Sequence, residues 1–134
     1  MDQEIILCDT DIIIELYRNN QAIISELHKI GTNNIAISII SAGELIFGAF
    51  NKHELHQIQK DIRYLKTIYL NNEAGEIFLH LMSKYSLSHR LKIPDALIAS
   101  TAIANQMKFF TLNIKDFRFI NELKIYPFKK NEQQ

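Results

Sequence analysis

Acidic side chains from four distant segments lie where a parallel sheet would bring them to one edge. Asp9 follows the apolar run at 5–8, and Glu44 lies in the opening turns of the helix predicted after a strand at 35–38. Asp95 begins an apolar helix, and Asp116 follows a strand predicted at 109–111. Because ligands of open parallel sheets bind beyond the carboxyl ends of the strands, we expect these carboxylates to meet there.

Such a cluster indicates metal chemistry. Carboxylates held together repel each other in a low dielectric unless a positive charge lies between them. Mg²⁺ and Mn²⁺ prefer oxygen ligands and bridge to phosphates. They also lower the pKa of a bound water and stabilise charge on a phosphodiester. Asp95 should stay ionised, since the helix dipole favours negative charge at an N-terminus.

The hydrophobic pattern predicts the elements that position these acids. We expect strands at 5–8, 35–38, 67–70 and 109–111, with a fifth edge strand at 124–126. Helices are predicted at 12–17, 20–30, 41–50, 53–66, 73–86 and 94–105, with Asp11 capping the first and Ser41 opening the third in a capping box with Glu44. Alternating strands and helices predict a three-layer α/β/α sandwich with a central, mostly parallel sheet of four or five strands.

Four segments carry a family resemblance. ILCDTDIII at 6–14 resembles the opening motif of PIN-domain nucleases, and SIISAGELIFG at 38–48 looks like their second. PDALIASTA at 94–102 resembles the third motif, and FTLNIKDF at 110–117 the fourth. The resemblance covers roughly residues 5–127, is closest to VapC-type toxins of toxin–antitoxin systems, and is specific because four motifs occur in the family's order.

The resemblance implies roles by position. Asp9, Glu44 and Asp95 match the three invariant acids, and Asp9 and Asp95 would be the main metal ligands. The fourth acidic position falls on either Asn113 or Asp116, and a helical turn after Asn113 would let both face the cluster. The hydroxyl residues that orient water or phosphate would be Thr10 and Thr111. Each acid also has a purely structural interpretation, as a helix cap or a turn residue, but four such coincidences would leave the family match unexplained.

The implied function is that of a Mg²⁺- or Mn²⁺-dependent endoribonuclease. The family's usual target is transfer RNA or another structured RNA, and a toxin would have a cognate antitoxin and form a homodimer. An RNA-processing nuclease outside a toxin pair is an alternative. A catalytically inactive acidic-pocket module, such as a receiver domain, is another. A receiver would need an aspartate after the middle strand, where the sequence has Leu70-Asn71-Asn72.

Composition sets outer bounds. The 134 residues, 47% hydrophobic and 22% charged, predict one globular domain at 1–128 and a polar tail at 129–134. Fifteen basic residues balance fifteen acidic ones, which does not exclude a polyanionic substrate. We find no signal peptide or membrane span and expect a cytoplasmic protein in which Cys8 is an inert core thiol. His53 and His56 lack the spacing of a zinc motif, and we expect them on a solvent-facing helix.

Overall fold

The computed structural model describes residues 4–129. Its strands are β1 (Ile6–Cys8), β2 (Ile35–Ser38), β3 (Lys66–Ile68) and β4 (Lys108–Phe110). Its helices are α1 (Thr10–Tyr17), α2 (Gln21–Ile30), α3 (Ile39–Phe47), α4 (Lys52–Tyr64), α5 (Asn72–His89), α6 (Ile93–Ala104) and α7 (Ile114–Phe117), and a short 3-10 helix spans Thr32–Asn34. The strands are all parallel and lie in the order β3-β2-β1-β4.

Helices cover both faces of the sheet, which confirms the α/β/α prediction. Leu7, Ala36 and Phe109 point to one face and pack with buried residues of α5 and α6. Their neighbours Cys8, Ile37 and Phe110 point to the other face and pack with α1, α2 and α3. The two central strands are therefore apolar on both sides, as buried parallel strands are.

The predicted fifth strand is reduced to one bridged residue. Ile125 pairs in parallel with Phe109 at the free edge of β4. The amide of Phe109 donates to the carbonyl of Lys124, and the amide of Tyr126 donates to the carbonyl of Phe109, both at 2.8 Å. The sheet therefore has four full strands and a single edge bridge.

Two predicted helix starts were wrong. Asp9, not Asp11, is the N-cap of α1, and Ser38, not Ser41, is the N-cap of α3. Each helix follows its strand without a loop, so the first residue after β1 and the last residue of β2 keep extended backbone and cap the helix. The Oγ of Ser38 accepts from the amide of Ser41 at 2.9 Å. Ser41 thus lies inside the first turn, and it forms no capping box with Glu44.

The connection from α5 to α6 ends near the acids. α5 runs beyond the predicted end at 86, and Arg90 closes it in the left-handed conformation with φ 55°. The amide of Arg90 donates to the carbonyl of Ser86 at 3.0 Å, which satisfies one of the last carbonyls of the helix. α6 then begins at Ile93 with Pro94 in its first turn and is largely buried, as predicted.

The predicted domain boundary stays a prediction. Of the polar tail at 129–134, all but Lys129 lies outside the described residues, as does the start of the predicted domain at 1–3. No helix within residues 4–129 has the length and apolar character needed to span a bilayer.

Candidate active site

Asp9 lies at the centre of the carboxyl edge of the sheet. Its side chain is buried, with one oxygen accepting from the amide of Thr10 at 2.8 Å. The other oxygen accepts from the hydroxyl of Thr111 at 2.7 Å. The backbone amide of Asp9 donates to the carbonyl of Phe110 at 2.8 Å, which aligns the ends of β1 and β4. The carboxylate is therefore held where the ends of β1 and β4 meet, by the first residue of α1 and the residue after β4.

Glu44 reaches the same edge through Thr10. The hydroxyl of Thr10 lies 2.6 Å from Oε1 of Glu44 and 2.8 Å from Oγ of Ser41. A hydroxyl has one proton, so Thr10 donates to the carboxylate and can accept from Ser41. This contact joins α1 to α3. Sequence reasoning placed Thr10 and Glu44 at the edge but used Ser41 only as a cap.

Asp11 also lies at this edge, although the sequence predicted it as a helix cap and not as a site residue. Its Oδ2 accepts from the amide of Leu112 at 3.0 Å and lies 3.5 Å from the hydroxyl of Thr111. Its Oδ1 is buried and has no hydrogen-bond partner among the described residues. Burial raises the pKa of Asp11. The one available signal was a second acid two residues after Asp9.

Asp95 approaches from the first turn of α6 and is about half buried. Burial raises its pKa to about 6, and the charges of Asp9 and Asp116 add to the rise. The positive charge of Lys92 acts against it. Asp95 and Asp116 also line one cavity of about 140 Å³. The structure therefore brings Asp116 to the side of Asp95.

Asn113 occupies a different place from Asp116. It precedes α7 at the N-cap position, as predicted, but its side chain caps no amide. Its backbone amide donates to Oγ1 of Thr111 at 3.0 Å. Its side chain is exposed and does not line the cavity shared by Asp95 and Asp116. The predicted helical turn is present, and the side chain that it aims towards Asp95 is that of Asp116.

The electrostatics of the edge are those of repelling acids. Burial raises the pKa of Asp9 to about 7, and the negative charge of Asp11 adds to the rise. The charge of Glu44 adds a smaller contribution, while the hydrogen bonds from Thr111 and Thr10 lower it. Like charges in a partly buried site behave in this way, and a nearby cation reverses the effect.

The donor set fits a hard divalent cation. The side chains at the edge offer carboxylate and hydroxyl oxygens, which are the ligands that Mg²⁺ and Mn²⁺ prefer. Within residues 4–129, no three acidic, histidine or cysteine side chains stand together as a ready coordination set. A cation here would therefore draw the carboxylates closer or bind some of them through water.

Three side chains noted in the sequence lie outside this chemistry. Burial raises the pKa of the Cys8 thiol to about 12, which confirms an inert core cysteine. His53 and His56 are exposed on α4, as predicted.

Comparisons with known proteins agree with the geometry. A family model of the PIN domain matches residues 6–122. No match to a curated protein sequence was found. A chain of a toxin–antitoxin complex from Klebsiella pneumoniae is 27% identical, with a TM-score of 0.77 over 93% of this chain and 99% of that one. A chain of the VapBC2 complex from Rickettsia felis, bound to a promoter DNA fragment, is 28% identical, with a TM-score of 0.76 and the same coverage.

A third structure supports the fold alone. A chain of the DNA-bound VapBC complex from Salmonella typhimurium has a TM-score of 0.81 at 21% identity, over 92% of this chain and 97% of that one. The resemblance read from the four sequence motifs is confirmed: the chain belongs to the PIN-domain family.

Proposed function

We propose that this protein is a Mg²⁺- or Mn²⁺-dependent endoribonuclease that acts as the toxin of a type II toxin–antitoxin pair. The observation that carries the proposal is a pair of acids at one edge of the sheet, Asp9 and Asp95, whose burial raises their pKa values to about 7 and about 6, with neighbouring negative charges adding to both rises. Such a pair is stabilised when a divalent cation binds between or beside its members. Membership of the PIN-domain family supports a hydrolase of phosphodiester bonds.

The proposed roles follow from position. Asp9 and Asp95 bind the metal, Glu44 completes the acidic edge, and Asp116 contributes beside Asp95. A bound cation would neutralise charge on the phosphodiester and lower the pKa of a water. Thr111 holds one oxygen of Asp9 and thereby fixes which way that carboxylate faces. Thr10 does the same for Glu44. Both threonines therefore orient the carboxylates around which water and phosphate would be positioned.

Asn113 takes a smaller part in this proposal. Its backbone amide donates to Thr111, and its exposed side-chain amide can hydrogen-bond a water or a phosphate oxygen. The fourth acidic position is therefore shared, with the charge on Asp116 and a neutral contact from Asn113.

The partners of the protein are proposed from its relatives. Chains similar to this one belong to toxin–antitoxin complexes, and we propose that a cognate antitoxin binds this chain and blocks its site. We further propose that the protein is a cytoplasmic homodimer and that its substrate is transfer RNA or another structured RNA. An RNA-processing nuclease would share the chemistry but have no inhibitory partner, so inhibition by a co-encoded protein separates the two.

The test is cleavage of end-labelled transfer RNA by purified wild-type protein and by Asp95→Asn. We expect cleavage with Mg²⁺ or Mn²⁺, none in EDTA, and none by the variant, because Asn keeps the shape of Asp95 but not its charge. Glu76→Gln, which neutralises an exposed carboxylate on α5, is the matched control and should cleave normally. Cleavage by Asp95→Asn at the wild-type rate would refute the assignment.

A further inference from the structure

A small cavity opens beside the acidic edge, between the α5–α6 connection and α7. Its volume is about 140 Å³. A cavity of about 150 Å³ accommodates a benzene-sized ring, whereas sites for whole small molecules start at about 300 Å³. The space therefore suits one ring of a larger ligand rather than an independent small molecule. Asp95 and Asp116, which belong to the acidic edge, line it.

The cavity is also lined by a pair of stacked rings. His89 and Phe119 lie with their ring centroids 4.2 Å apart and their planes inclined by 8°. The ring of Tyr85 packs edge-to-face with both, and its centroid lies 5.9 Å from that of His89 and 5.3 Å from that of Phe119. The imidazole of His89 is exposed, and its Nδ1 lies 2.8 Å from the hydroxyl of Ser88. An exposed planar ring of fixed orientation is the kind of surface on which an unpaired nucleobase stacks.

A hydrogen-bond network holds this pair in place. The hydroxyl of Tyr85 donates to Oε1 of Glu122 at 2.8 Å and accepts from the amide of Asn121 at 3.2 Å. Lys84 and His80 each approach Oε2 of Glu122 at 3.1 Å. Although burial alone would raise it, these hydrogen bonds lower the pKa of Glu122 to about 2. The segment that carries Phe119 is therefore fixed to α5 before any ligand binds, which reduces the ordering cost of binding.

Basic side chains surround the same cavity. Arg90, Lys92 and Lys115 line it together with the stacked pair. Single-stranded nucleic acids bind where aromatic rings receive bases and neighbouring cations contact the phosphates. Asp95 and Asp116 would repel a phosphate from the interior of the cavity. A neutral base is therefore the better occupant, with the phosphates outside it.

We infer that this cavity is a nucleobase subsite, in which an unpaired base of RNA stacks on the His89–Phe119 pair while flanking phosphates contact Arg90, Lys92 and Lys115. The inference rests on the proposed function, and it narrows the substrate class. A base that stacks here is out of its duplex, so the cleaved phosphodiester lies in a loop or single strand next to an extruded nucleotide.

The test measures binding and does not depend on cleavage. Fluorescence anisotropy with a labelled single-stranded oligoribonucleotide in EDTA gives Kd for wild type, Phe119→Leu and His89→Ala. Each variant should bind about tenfold more weakly, the loss typical of one stacked base. Tyr64→Leu, which removes an exposed ring on α4, is the matched control and should not change Kd. His89→Phe keeps a ring and should bind like wild type.

A double-mutant cycle separates stacking from a structural effect. The same variants are titrated against oligonucleotides with a single abasic position moved along the sequence. At one position, removing the base should raise the Kd of wild type about tenfold. With that oligonucleotide, the Phe119→Leu substitution should raise Kd no further. A fully paired duplex of the same sequence should bind wild type more weakly and not respond to Phe119→Leu.

The outcomes for this subsite are distinct from those for the nuclease. Three binding results would each overturn the subsite, whatever the cleavage result. They are binding by wild type that does not saturate, losses of affinity from Phe119→Leu and from the missing base that add at every abasic position, and equal affinity of wild type for the duplex and the single strand. Loss of cleavage in every metal with the binding cycle intact would overturn the proposed nuclease and leave an RNA-binding site.

Discussion

Replacing Asp9 by Asn should stabilise the protein in the absence of metal, which is unusual for a buried side chain with two hydrogen bonds. The pKa of Asp9 is raised from its ordinary 3.8 to about 7. One pH unit between folded and unfolded values corresponds to about 1.4 kcal/mol, so the ionised carboxyl destabilises the fold by about 4 kcal/mol. Loss or weakening of the contacts to Thr10 and Thr111 reduces this gain in stability by about 1–2 kcal/mol. The expected net gain is about 2 kcal/mol.

The sign of the pH dependence follows from the same linkage. Below the unfolded pKa both states are protonated, and the charge contributes no destabilisation. Between about pH 4 and pH 7 the unfolded carboxyl ionises while the folded one stays protonated, so the penalty on wild type grows. Above pH 7 it stays constant. The stability difference between Asp9→Asn and wild type should therefore rise between pH 4 and 7 and then level off.

Urea denaturation in EDTA, followed by circular dichroism at pH 4, 5.5, 7 and 8.5, measures the difference. Glu76→Gln, an exposed acid on α5, should show almost no pH-dependent difference from wild type and controls for the loss of any carboxylate. The reasoning is refuted if Asp9→Asn is less stable than wild type above pH 7, or if the difference does not change with pH.

Three other predictions concern the metal, the fourth acidic position and a strained backbone residue outside the site. Saturating Mg²⁺ or Mn²⁺, at about a hundred times Kd, should raise the unfolding free energy of wild type by about 2.7 kcal/mol and that of Asp95→Asn far less; equal gains in a thermal-shift titration would indicate nonspecific ions. Asp116→Ala should reduce cleavage and metal affinity less than Asp95→Asn, since Asp116 is exposed and Asp95 half buried; unchanged values for Asp116→Ala would leave Asn113 as the sole fourth member of the site. Gln106→Gly should stabilise the protein by about 1 kcal/mol, because Gln106 has φ 54°, a conformation that is costly for residues with a Cβ; a lower urea midpoint would contradict this.

The sequence predicted most of the fold because hydrophobic runs determine where buried strands occur. β2 occupies the predicted residues 35–38, and the α/β alternation is as expected. β4 ends at Phe110, one residue earlier than predicted, and the side chain of the next residue, Thr111, donates to Asp9. α5 continues beyond residue 86 and ends only where Arg90 adopts a left-handed conformation, and no local preference signals this end because Arg90 is not a glycine.

Long-range contacts at the site could not be read from local pattern. Asp11 has the spacing of a helix cap, but its oxygen accepts from the amide of Leu112, far along the chain. Ser41 likewise has the sequence of a cap and lies beside Thr10 instead. Family motifs indicated which residues gather at the sheet edge. The partners of each oxygen depend on how β1 and β4 meet, and neighbouring residues carry no information on that.

The hydrogen bond between Asp9 and Thr111 joins residues that are 102 positions apart. The central strand β1 is translated first, and its outer neighbour β4 last. A growing chain that has reached Ile103 contains Asp9, Glu44 and Asp95 but lacks the wall that orients Asp9. Pairings between such distant residues form late, because the chain loses the entropy of closing the loop before the contact contributes any free energy. The acidic edge is therefore incomplete until β4 and Thr111 have been synthesised, and any activity that depends on it begins only after that point.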